Sequence, residues 1–72
     1  MSKEMTFTVF CIESYKQHHN LSGKTVVKLF GDYGVFDYIY EFYDVLHTTG
    51  HNYINHDIDI YLKSRGAITS IW

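Results

Sequence analysis

Residues 43–66 read YDVLHTTGHNYINHDIDIYLKSRG, and this stretch decides the fold. Its second half carries Ile54, Ile58, Tyr61 and Leu62 at three- and four-residue spacing, the period of one helix face turned inward. Asp57 and Asp59 come early and Lys63 and Arg65 late, the order the helix macrodipole favours. Gly66 supplies the stop, since glycine readily takes the left-handed conformation that closes helices. The spacing predicts a helix over residues 52–65. Upstream, Thr48-Thr49-Gly50 makes a turn. Before it, Phe36, Ile39, Tyr43 and Leu46 predict a helix over residues 36–47, with Tyr40 and Phe42 on its flanks.

Working outward, Ser22 is a good N-cap, with Leu21 before it placed to pack on Val26 as a hydrophobic staple. Val26, Leu29, Phe30 and Tyr33 form one stripe, and Gly34 supplies a left-handed end. Gly31 inside this helix costs about 1 kcal/mol relative to Ala, which a closely approaching neighbour would explain. The first helix is expected over residues 4–18. Phe7, Phe10, Cys11 and Ser14 form its inward stripe, and Met5, Val9 and Ile12 widen it. The β-branched and aromatic run over residues 6–12 also permits a short strand there. Proline is absent, so the strongest helix breaker is missing. The reading is an all-α protein, a compact bundle of about four short helices.

With 72 residues the chain makes one domain, with a core over about residues 4–66 and an apolar tail, residues 67–72 (AITSIW). That tail is expected to fold back on the bundle or to meet a partner, a second copy included. Seven Tyr, five Phe and one Trp supply large buried area at little rotamer entropy, which suits a domain with few core positions. Cys11 stands alone, so there is no disulfide framework, and its apolar setting marks a small core residue. Without a signal peptide or a long apolar span, the chain is expected to be soluble and cytoplasmic. Its net charge of −2 is scattered, with no basic cluster, which argues against nucleic acid as a partner.

Three constellations bear on chemistry. His47, His51, His56 and Asp57 suggest metal ligands, but the turn at 48–50 breaks the alignment of His47 with His51. His51 and His56 fall on different sides of a helix, so no metal site and no cofactor is expected. Asp44 and His47, three apart, can meet on one helix face, with Thr48 beside them. No nucleophile motif accompanies them, and so small a domain rarely encloses a catalytic pocket. A structural role is expected: Asp44 fixing His47, and Thr48 or Thr49 closing the helix end. Third, Tyr33, Tyr38, Tyr40, Tyr43, Tyr53 and Tyr61 cannot all bury satisfied hydroxyls, so several should lie half covered at the surface. Such tyrosines are frequent in protein-binding hot spots. A helix-turn-helix reading of residues 21–46 is weakened because its second helix would present, beside Tyr38, the carboxylates of Asp37 and Glu41, which phosphates would repel.

The block from Asp37 to Gly66 resembles the signature of a family of short bacterial proteins known as a domain of unknown function. The resemblance is carried by Tyr43-Asp44-Val45-Leu46-His47-Thr48, then Gly50, Tyr53, Ile54 and the Asp57-Ile58 pair, with Leu21-Ser22-Gly23 as a further match. Family members often carry Gln where this chain has Thr49, and Asn55 and His56 dilute an acidic run here. The family's genes often lie beside a family resembling ADP-ribosyltransferases. The resemblance therefore implies toxin–antitoxin-like pairs in which this chain is the neutralising partner. No catalytic residues follow from it. The expected function is a non-enzymatic protein-interaction module that occludes a neighbouring toxin, with Tyr40, Asp44, His47 and Thr48 as the contact face. The alternative is a small DNA-binding transcriptional regulator, and an enzyme or metal protein stands third.

Overall fold

The computed structural model describes residues 2–67. Within these residues five helices follow one another: α1 (Lys3–His19), α2 (Gly23–Asp32), α3 (Val35–Glu41), α4 (Tyr43–Leu46) and α5 (His51–Ser64). No strand occurs among the described residues, and residues 6–12 lie inside α1. The protein is all-α, with four helices of seven residues or more and one single-turn helix among the described residues. Of the expected tail only Ala67 is described; residues 68–72 lie outside the described part.

Local chemistry sets the ends. Ser2 and Ser22 cap α1 and α2, accepting from the amides of Met5 (3.0 Å) and Thr25 (3.1 Å). Asn20 closes α1 in the left-handed conformation, and its neighbour Leu21 donates its amide to the Lys16 carbonyl. Gly66 does the same for α5, with Ala67 donating to the Leu62 carbonyl. Gly34, at φ 74°, makes the tight passage from α2 to α3.

The core joins Cys11 and Tyr15 of α1, Val26 and Phe30 of α2, Val35 and Ile39 of α3, and Ile54, Ile58 and Leu62 of α5. Leu46 is also buried. Rings meet edge-on: Tyr15 with Phe30 at 5.3 Å, and Phe30 with Phe36 at 5.8 Å. α1 packs against α2, α3 and α5 and forms the spine of the bundle.

Three expectations are corrected. First, the buried stripe of α1 is Thr8, Cys11 and Tyr15; Phe10, Met5 and Val9 are exposed. The helix is rotated because each inward polar atom finds a partner. The Thr8 hydroxyl donates to the Glu4 carbonyl at 2.7 Å, Ser14 pairs with Asn55, and the Tyr15 hydroxyl reaches Asp59. Second, the helix expected over 36–47 breaks at Phe42, whose φ −104° and ψ 20° leave helical space. The break divides α3 from α4 while Leu46 still enters the core and Tyr43 packs edge-on against Phe7 of α1 at 5.4 Å. Third, Gly31 is not crowded: a Cβ there would lie 3.9 Å from Phe36, ordinary contact.

Candidate functional site

The four residues read from sequence as a contact face are all exposed. Tyr40 sits on α3, 44 % exposed, with its hydroxyl 4.0 Å from Met5 Sδ of α1. Asp44 lies on α4, and His47 and Thr48 follow its end. Asp44 does not fix His47. The imidazole stacks flat on Tyr43, centroids 4.4 Å apart, and its Nδ1 lies 2.6 Å from the Tyr43 carbonyl. Starting α4 at Tyr43 turns His47 back onto that ring and carbonyl. Thr48 and Thr49 do close the helix end, donating their hydroxyls to the carbonyls of Val45 and Leu46 at 2.8 Å.

Tyr40 also lines an apolar groove of about 370 Å³ between α1, α2 and α3. Its walls include Met5, Val9 and Ile12 from α1, Val27 from α2, and Phe36 from α3. Met5, Val9 and Val27 are 41 %, 45 % and 46 % exposed, so the groove opens to water. Asp37 stands at its edge. Sequence periodicity assigned Met5 and Val9 to the interior, and the rotation of α1 brings them here. Phe42, just before α4, and Val45, on it, are exposed as well.

A second assembly was not legible in the sequence. Where α1 meets α5, the Tyr15 hydroxyl donates to Asp59 Oδ1 at 2.6 Å, and His19 Nε2 lies 3.0 Å from the same oxygen. His18 adjoins them: one ligand atom each from His18, His19 and Asp59 lie within 4.8 Å of one another. The His47, His51, His56 and Asp57 grouping is not brought together. His47 lies on Tyr43, and Asp57 accepts a short hydrogen bond from Tyr38. His51 lines a shallow recess with Ser14, Gln17 and His18.

Tyr38 stacks on Tyr61 at 4.3 Å, and the Arg65 guanidinium lies 4.7 Å above Tyr61. Burial, then the hydrogen bond and charge of Asp57, push the Tyr38 phenol above its ordinary range. Tyr38 is thus held within the fold, and seven-residue α3 presents Asp37, Tyr40 and Glu41 as its exposed polar side chains. Burial also pushes the Cys11 thiol up to about 12, which keeps it protonated and unreactive near neutral pH.

No helix among the described residues is long and apolar enough to cross a membrane. No curated protein and no solved structure matches the chain. A family model does match, over residues 6–65, which takes in all five helices except the start of α1. The chain belongs to the family described as Protein of unknown function (DUF3791).

Proposed function

We propose that this chain is a non-enzymatic protein-interaction module, an antitoxin-like cytoplasmic partner that occludes a neighbouring toxin of the ADP-ribosyltransferase-like class. The observation that carries this reading is the groove walled by Met5, Val9, Val27 and Tyr40, whose apolar side chains stand open to water together. Contiguous exposed apolar surface of this kind marks contact sites more often than isolated side chains do. Tyr40 adds a rigid ring and a hydroxyl at the rim, the combination that anchors protein interfaces. Asp44, His47 and Thr48, exposed polar side chains on the stretch that follows α3, extend the contact face beyond the groove in this reading. The occupant is an apolar ridge of the toxin beside its substrate cleft, and seating it places the bundle across that cleft. The gene neighbourhood implied by the resemblance supplies the partner's class; the groove supports a seat for it.

Co-expression with the product of the adjacent gene tests this. A complex that survives gel filtration at micromolar concentration is expected. Joint replacement Tyr40→Ala and Asp44→Ala should weaken it by about 2 kcal/mol, roughly thirtyfold, with the helical dichroism unchanged. Val9→Glu, which puts a charge into the groove from an exposed position, should weaken it comparably. Two proteins migrating separately, or a complex indifferent to all three changes, would contradict the reading. A chain that self-associates through the groove would instead show a dimer that Val9→Glu dissociates.

A further inference from the structure

We propose that His18, His19 and Asp59 form a binding site for a divalent transition-metal ion, zinc foremost, that clamps the C-terminal end of α1 to α5. The first argument is spacing. His19 Nε2 stands 3.0 and 3.2 Å from the two Asp59 carboxylate oxygens. Two donors held at ~2.0–2.1 Å from one tetrahedral zinc stand about 3.4 Å apart, so this edge needs little adjustment. His18 is exposed, and its ring meets that of His19 edge-on at 4.7 Å. Rotation about its side-chain bonds brings a third nitrogen, already within 4.8 Å, onto the same centre.

The surroundings favour the same occupant. The hydroxyl of buried Tyr15 donates to Asp59 Oδ1 and holds the carboxylate in place, the outer-sphere support that metal sites use. His18 and His19 lie in the last turn of a 17-residue helix, where the carbonyl end of the macrodipole attracts a cation. Two imidazoles and one carboxylate form a mixed nitrogen–oxygen set suited to zinc, cobalt or nickel, whereas calcium and magnesium take oxygen ligands. Three protein ligands leave a fourth position for water. His19 and Asp59 lie 40 positions apart in the chain, so the ion ties together two helices that also share the Ser14–Asn55 and Tyr15–Asp59 bonds. Binding to the native state alone then raises stability by mass action.

The test uses untagged protein stripped of metal and titrated with zinc chloride in a calorimeter, with cobalt as a visible-absorbance probe. One ion per chain, micromolar affinity and a raised melting temperature are expected. His18→Gln, at an exposed position, should fold normally and lower zinc affinity by at least the ~10-fold that loss of even an outer-sphere partner costs. Joint replacement of His47, His51 and His56 by Gln should leave affinity unchanged. No saturable binding at micromolar zinc, an unaltered affinity in His18→Gln, or affinity lost with the other three histidines would overturn the proposal. The junction would then be a hydrogen-bonded clamp between helices without an ion.

Discussion

Replacing Tyr15 by Phe removes one oxygen and leaves the rest of the junction between α1 and α5 in place. The ring is 0 % exposed and stays seated against Phe30. What is lost is the 2.6 Å bond from the hydroxyl to Asp59 Oδ1. A hydrogen bond to a charged acceptor contributes about 1.5–3 kcal/mol, and Asp59 keeps His19 as a second partner. The carboxylate is also 22 % exposed, so water softens the loss and favours the lower end of that range. The expected cost is about 1.5–2 kcal/mol, a large part of what a domain of this size has. With a urea slope of about 1 kcal/mol/M, the midpoint should fall by about 1.5–2 M. In a thermal scan each kcal/mol corresponds to about 4–8 °C. Urea unfolding followed by far-ultraviolet dichroism, with chelator present to exclude any metal, gives the answer. Tyr53→Phe, at an exposed position on α5, serves as the control and should stay within ~0.5 kcal/mol of the parent. A Tyr15→Phe protein as stable as the parent would refute the claim that Asp59 draws Tyr15 inward and so sets the rotation of α1.

Gly31→Ala should stabilise the protein by about 0.5–1 kcal/mol, because the site is helical and the added methyl meets only ordinary contact with Phe36; chemical denaturation reads the change. Cys11 should resist alkylation by iodoacetamide at pH 8 in native buffer and react at once in denaturant, since burial keeps its thiol protonated and covered. Tyr38 predicts an alkaline decline. Below its ordinary value of 10.0 both folded and unfolded chains hold the phenolic proton, and stability is fully present. Above that pH the unfolded chain releases the proton while the native chain retains it, so stability falls as pH rises. Tyr38→Phe should flatten this decline in urea titrations between pH 9 and pH 11, each pH referred to the ~10 of a free phenol.

The ends and faces of α2 and α5 were legible because their signals are local. Ser22 caps three residues ahead, Gly34 and Gly66 take positive φ, and Ile54, Ile58 and Leu62 repeat every four residues among polar neighbours. The rotation of α1 was not. Phe7, Val9, Phe10, Cys11 and Ile12 surround the helix, so periodicity alone cannot choose a face. The choice is made by Asn55 and Asp59, some forty residues away, which offer partners to Ser14 and Tyr15. The break at Phe42 carries no Gly or Pro to announce it. It follows from burying Leu46 while Tyr43 packs on Phe7. Tyr40, Asp44, His47 and Thr48 are exposed, and the groove beside Tyr40 depends on that unread rotation. His18 and His19 likewise read as the end of a helix until α5 brings Asp59 to them.

The most direct measurement is an amide chemical-shift titration of the labelled chain with the product of the adjacent gene. Perturbations are expected to gather on Met5, Val9, Val27 and Tyr40 and continue through residues 44–48, while the outward face of α5 at His56, Ile60 and Lys63 stays still. Shifts confined to that face of α5, or none at saturating partner, would contradict it.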